Sequence, residues 1–501
     1  MNHTILLIIL LIYFLFLYLL SSLVSSKTDS DTFFLANRNS PWWLVSIGMV
    51  GASLSAVTFI SIPGVVGAGG INQQFSYMQM ALGYVAGYYV VAYVLLPLYY
   101  RLRLTSIYEY IGGRFGVSSQ RVASVSFIIS RGVSGALRFY LILSILHTFL
   151  FQHLGIPFFV SSAAMMLFVW LYTNRAGLKT LVLTDAVQTI IFLVVLIVTI
   201  IYLINVLDLS IIDLGNEFDK NKLSKMFFFD NGWSKPNNFF KQFISGFLIV
   251  LVMTGLDQDI MQKNLSCKNL KEAQKNMVSV GYIFLPVSFL FLLLGGLMVL
   301  YMNKFGIDVP TKELDSGVLT KNYDMIYPTL ALDHFTPYIG VLFFIGITAA
   351  ACSSIDSVLT SVATSISKDI LQIDDLAKLS LKRRNTIYAF VVLFTYLIML
   401  FFGYYSKGSL INAIFKLSGY TYGPLLGMYA FGLLTKKTIV DYHSIGIAIL
   451  APTLTYLLTL YSETLLFGYK PGFEILLWNA IFTYIMLCLS SRFQNASLRV
   501  R

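Results

Sequence analysis

The chain has 501 residues, of which 57% are hydrophobic and 12% charged, whereas a soluble globular protein carries roughly 25% charged residues. That composition excludes a soluble domain and predicts a polytopic helical protein seated in a lipid bilayer. The formal net charge of +11 does not indicate a nucleic acid partner, because the basic residues fall in alternate short connections instead of on one face or tail.

Apolar stretches of spanning length, roughly 17–25 residues each, predict thirteen helices at 4–24, 42–68, 75–100, 121–150, 156–173, 180–205, 239–257, 277–302, 338–363, 385–405, 409–434, 442–461 and 473–491. No Lys or Arg precedes Ile5, so the first stretch lacks the basic region of a signal peptide and is read as a retained spanning helix. Lys27 and Arg38, the group Arg101, Arg103 and Arg114, then Arg175 and Lys179, Lys263 to Lys275, Lys368 to Arg384, Lys436 and Lys437, and Arg492 to Arg501 occupy every second connection. Those connections are expected in the cytoplasm, with the N-terminus outside and the C-terminus inside. Cys267 falls in a cytoplasmic connection and Cys352 and Cys488 in spans, so no disulfide is expected.

The second span is rich in small residues, from Gly48 through Gly51-Ala52-Ser53-Leu54-Ser55-Ala56-Val57-Thr58 to Pro63-Gly64. Such a composition permits mid-membrane unwinding, which turns backbone carbonyls toward a cavity where they can hold an ion. A kink made for packing alone is the other reading. In the third span, Gln79 either hydrogen-bonds a polar solute or joins helices.

The fourth span carries Arg131 and Arg138, seven residues apart and so on one helix face. A buried guanidinium is costly unless paired. Arg138, near mid-span, therefore meets either a structural acid or the carboxylate of a transported solute, gripped through two parallel N–H···O contacts. Asp185 in the sixth span lies near the depth of Arg131, and an Arg131–Asp185 ion pair is one reading of both. Asp257 to Gln262 is read as the cytoplasmic end of the seventh span, with a structural or gating duty.

The ninth span contains Ala349-Ala350-Ala351-Cys352-Ser353-Ser354-Ile355-Asp356-Ser357. At helical spacing Ala350, Ser353, Ser354 and Ser357 share a face, flanked by Asp356 and Thr360. Oxygen donors without a His or Cys cluster suit a hard cation and not a transition metal. The five histidines are scattered and no nucleophile–base pair stands out, so an enzyme is not expected.

Four motifs carry a resemblance. Leu54-Ser55-Ala56-Val57-Thr58-Phe59, Gly177-Leu178-Lys179-Thr180 through Thr184-Asp185-Ala186-Val187-Gln188, Asp257-Gln258-Asp259 with Gln262-Lys263, and Ser353-Ser354-Ile355-Asp356-Ser357 together resemble the solute:sodium symporter family over essentially the whole chain. The first motif is similar to the sialic acid, carboxylate and vitamin branches. The resemblance implies one transporter domain over 1–501, all-α with a LeuT-type core of two inverted five-helix repeats at 42–205 and 239–434. The helix at 4–24 precedes that core and two helices within 442–491 follow it.

The same resemblance implies a main Na+ site made by the carbonyls of Gly51, Leu54 and Ala350 and the hydroxyls of Ser353 and Ser354. It implies a second Na+ site from Asp185, Ser353 and Ser357, with Asp356 as a further ligand. Arg138 would hold a solute carboxylate, and Ser53, Ser55, Thr58 and Gln79 the rest of the solute. The expected function is sodium-coupled import of a small organic anion, such as a sialic acid, by a monomer in the plasma membrane. A sodium-coupled sugar or inositol symporter and a proton-coupled symporter are the alternatives.

Overall fold

A backbone in lipid must satisfy its own hydrogen bonds, and helix accordingly follows apolarity along nearly the whole chain. The computed structural model describes residues 3–24, 36–67, 74–230, 232, 235, 237–313, 319–373, 376, 379–405, 410–466, 469, 471–472 and 474–499. The principal helices are α1 (His3–Val24), α2 (Trp42–Val65), α3 (Tyr77–Arg101), α4 (Val117–Phe151), α5 (Phe158–Asn174), α6 (Gly177–Leu207), α7 (Phe239–Met253) and α8 (Gln258–Leu265). They continue as α9 (Leu270–Phe305), α10 (Pro337–Ile370), α11 (Leu381–Tyr405), α12 (Leu410–Leu434), α13 (His443–Leu460) and α14 (Ile475–Arg499). Each of the thirteen predicted apolar segments carries helix. Among the described residues, nine helices are long and apolar enough to cross a membrane, or eleven when each of two bent pairs is one span.

The two bent spans position the site. α2 turns by 57° between Leu54 and Val57, where the small residues of its sequence leave few side chains to hold a straight rod. α7 and α8 meet at 65° across Thr254-Gly255-Leu256-Asp257, and Asp257 restarts the helix by accepting a hydrogen bond from the Asp259 amide at 2.9 Å.

This corrects the expectation that the seventh span ends at Asp257 to Gln262, since a second half-helix follows the bend. Gln258, Asp259, Gln262 and Lys263 are all buried in α8. Hydropathy misplaced them because a polar half-helix packed inside a bundle has a loop-like composition.

A second break, between α5 and α6, has a backbone cause. Gly177 takes φ +57° and ψ −149°, a conformation open essentially to glycine. The split frees α6 to follow its own direction along α2 and α10, against which the α5–α6 pair packs. α3 lies along α7, α9 along α2, α10 along α4, and α12 along α4 and α14. Phe59 of α2 sits among Phe192, Phe291, Tyr327 and Phe343 with ring centroids 5.3–6.2 Å apart, which fixes the half of α2 beyond the bend. α1 joins from outside: Ser21 Oγ donates to the Tyr172 carbonyl at 2.7 Å, and Phe14 stacks on Phe168.

Candidate functional site

The bend of α2 borders a cavity of ≈ 110 Å³. α2 contributes Ala52, Ser53, Val57 and Thr58, α3 contributes Tyr77, Tyr84 and Tyr88, α4 contributes Arg131 and Arg138, and Thr254, Ile260 and Phe284 close the far side. The three tyrosines recur at i, i+7 and i+11, one face of α3. Tyr77 and Tyr84 hydroxyls lie 3.3 Å apart, and Tyr88 Oη donates to Ser53 Oγ at 3.5 Å. Sequence reasoning passed over these tyrosines, although their helical spacing was the available signal.

Of the residues expected to meet solute, Ser53, Thr58 and Arg138 line this cavity. The Ser55 side chain lies outside the described residues. Gln79 is a correction: it is not among the lining residues, and its amide is spent on loop backbone. Its Nε2 donates to the Asn237 and Ser76 carbonyls at 3.0 and 3.3 Å, and its Oε1 accepts from the Phe228 amide at 2.9 Å. A fully buried amide must satisfy both ends, and the 206–238 connection supplies two of the three partners.

The two arginines of α4 have different surroundings. Arg131 Nη2 lies 2.6 Å and Nε 3.2 Å from Asp259 Oδ2, and Nε is 3.5 Å from Asp257 Oδ2. Tyr422 Oη donates to that same Asp257 oxygen at 2.5 Å. The Arg131–Asp185 pair, one reading of these two charges, is therefore not formed; the start of the restarted helix α8 brings nearer acids than α6 does. Two turns along, Arg138 makes no hydrogen bond or ion pair among the described residues. It lines the cavity, and a guanidinium carries five donors.

Asp185 has another partner. Lys263 Nζ of α8 lies 2.7 Å from Asp185 Oδ2, with both side chains almost fully buried. Ser353 Oγ donates to Asp185 Oδ1 at 3.0 Å and Ser357 Oγ to Oδ2 at 3.3 Å. Asp185, Ser353 and Ser357 are thus brought together. Asp356 is turned elsewhere: its Oδ2 accepts from Tyr172 Oη at 2.9 Å and its Oδ1 from the Ser357 amide at 2.6 Å. That departs from its expected place in a second sodium site, because the side chain beside Ser357 on a helix points toward α5. Lys263, expected in a cytoplasmic loop, is a buried member of this cluster.

The other residues expected to hold sodium lie on α2 and α10, two helices that pack against each other. Ser354 Oγ donates to the Ala350 carbonyl one turn back, at 2.9 Å. A Cβ added to Gly51 would lie 1.9 Å from Thr189 Oγ1, and one added to Gly48 would lie 3.0 Å from Asp185 Cβ. α2 therefore approaches α6 backbone-close at the two glycines, just before its bend. Gly51, Leu54, Ala350, Ser353 and Ser354 supply three carbonyls and two hydroxyls, an oxygen-only set suited to a hard monovalent cation. Among the described residues no group of three or more His, Cys, Asp or Glu is arranged to hold a metal.

A family model described as the sodium:solute symporter family matches residues 33–440. The sodium/sialic acid symporter NanT of Aliivibrio fischeri is 24% identical over 83% of this chain and 80% of its own length. A putative sodium-dependent multivitamin transporter of Drosophila melanogaster is 26% identical over 83% of this chain and 67% of its own length. The sodium/glucose cotransporter of Vibrio parahaemolyticus is 26% identical over 93% and 85%. Among solved structures, a substrate-bound outward-open Na+-coupled sialic acid symporter superposes with TM-score 0.80 at 20% identity over 98% of both chains. The nucleobase-cation-symport-1 transporter Mhp1 in a closed conformation superposes with TM-score 0.57 at 13% identity, over 93% of this chain and 95% of the other. Both likenesses concern the fold.

Proposed function

Because this chain belongs to the sodium:solute symporter family, in which Na+ is the coupling ion, we propose that the solute it carries is a small organic carboxylate seated on Arg138. One observation carries the reading: Arg138 lines the cavity without a partner among the described residues, while Arg131 on the same helix has two acids. A guanidinium turned into a cavity is best satisfied by a planar anion that accepts two parallel hydrogen bonds. Hydroxyls of Ser53, Thr58, Tyr77 and Tyr88 supply further hydrogen-bonding groups around it, and Ser55 belongs to the same bend. A sialic acid, the solute named for NanT, has this chemistry.

In this reading Na+ binds at Gly51, Leu54, Ala350, Ser353 and Ser354, and α2 bears both sites. An ion that orders the bend raises solute affinity by linkage, and the solute raises ion affinity equally. A membrane potential supplies ~2.3 kcal/mol per charge per ~100 mV, and a roughly tenfold Na+ gradient adds about 1.4 kcal/mol. One Na+ carried with a monoanionic carboxylate moves no net charge, so the Na+ gradient alone drives it and sustains accumulation of about tenfold, at about 1.4 kcal/mol per decade. The protein works as a monomer in the plasma membrane and leaves its solute chemically unchanged.

The test is uptake into proteoliposomes with labelled sialic acids, monocarboxylates, glucose and inositol, driven by Na+ and then by K+ or choline, with a pH jump in the absence of Na+. Carboxylate uptake that needs Na+ supports the reading. Na+-driven uptake of a neutral sugar with no competition from any carboxylate overturns the substrate class, and uptake driven by the pH jump alone overturns sodium coupling.

A further inference from the structure

The pocket around Asp185 already contains a cation. Four elements converge there: α6 brings the carboxylate, α10 the hydroxyls of Ser353 and Ser357, α2 the bare backbone at Gly48, and α8 the amine of Lys263. Both hydroxyls spend their protons on Asp185 and keep lone pairs available to a positive charge. A carboxylate and two hydroxyls are suitable ligands for Na+, and an ammonium carries the same unit charge. The Lys263 side chain is 2% exposed, so neither the amine nor the acid has solvent as a substitute partner.

We propose that Lys263 is the tethered counter-cation of Asp185, filling the place of a second sodium ion, so that the transporter binds one Na+ per cycle and gains a second site when the amine is removed. An amine fixed to the chain leaves neither with solute nor with ion and adds no charge to the translocated load. Ser353 then has two partners within reach, Asp185 in this structure and the main sodium site through its remaining lone pairs. The neutral Asp185–Lys263 pair keeps that hydroxyl positioned without consuming an ion from outside.

The inference rests on the reading of Ser353 and Ser354 as ligands of the coupling Na+, and the experiment separates the two. Saturable binding of 22Na+ to purified protein without solute is counted for wild type, Lys263→Gln, Lys263→Arg and the double variant Asp185→Asn with Lys263→Gln. We expect one site in wild type and in Lys263→Arg, two in Lys263→Gln, and one in the double variant, whose pocket is neutral again. Melting temperature with Na+ against choline is a second readout: Lys263→Gln should depend on Na+ far more steeply than wild type, because the ion replaces the lost amine. If Lys263→Gln is recovered folded only in Na+, that too supports the proposal. Two sites in wild type overturn it, as does a folded Lys263→Gln with no additional site. A wild type with no saturable site sinks the main-site reading alone, and the gain or absence of a site in Lys263→Gln still decides the proposal for Asp185.

Discussion

Arg131 and Asp259 face each other at 2.6 Å across the junction of α4 with the restarted helix α8, while Arg138, seven residues further along α4, lines the cavity with no hydrogen bond or ion pair among the described residues. Arg138→Lys retains the charge but not the fork. Loss of a charge-assisted contact of about 1.5–3 kcal/mol should raise the carboxylate concentration for half-maximal uptake by about tenfold or more. Competition by unlabelled carboxylate against labelled solute measures this, and a fully active Arg138→Lys would refute the role.

Arg131→Gln should act on folding. Removing one partner of a buried pair leaves uncompensated charge and costs about 3–5 kcal/mol. The expected result is a lower melting temperature in detergent, with the carboxylate preference of any surviving protein unchanged. Asp185→Asn, which strands Lys263, should be destabilised similarly. Adding Lys263→Gln should restore it, whereas adding Arg131→Gln should not, since Arg131 and Asp185 are not partners in this fold.

Ser354→Ala removes one neutral oxygen from the proposed main sodium site. By the cost of an unmet buried polar group, about 1–3 kcal/mol, the Na+ requirement for uptake should rise roughly tenfold while the fold persists. Sodium titration of uptake and of the melting temperature read the same change, and an unaltered titration removes Ser354 from the site.

Gly51→Ala places a methyl group 1.9 Å from Thr189 Oγ1. Overpacking of this kind costs about 1–3 kcal/mol, and the strain falls on the part of α2 next to its bend. Reduced thermal stability and weaker Na+ binding are expected. Thr189→Ala should recover part of both, because it deletes the oxygen that the methyl group meets first.

Gln79→Ala separates structure from recognition. With its amide holding the backbone of Phe228 and Asn237, the variant should melt earlier yet keep its half-saturating solute concentration within about twofold, since no contact worth about 1 kcal/mol or more with solute is lost. A large loss of affinity without loss of stability would return Gln79 to the solute site.

Composition and hydropathy alone determined that this is a bundle of membrane helices, because the cost of unsatisfied backbone in lipid acts residue by residue and leaves its mark in local apolarity. The small-residue run around Gly51 and Leu54 and the serine stripe of α10 were also legible locally, one as a helix liable to break and the other as a face of fixed period. Polar partnership was not. Arg131 could be matched to Asp185 by depth along the sequence, yet the 65° turn at Asp257 carries Asp259 to Arg131 and Lys263 to Asp185 instead. Gln79, Asp356 and the tyrosines of α3 belong to the same class: their side chains answer to neighbours more than a hundred residues away or to the wall of a shared cavity. A charge in a low-dielectric interior is paired by whichever opposite charge the packing brings within a few ångströms, and that distance is set by how bent helices cross, which only the tertiary structure decides.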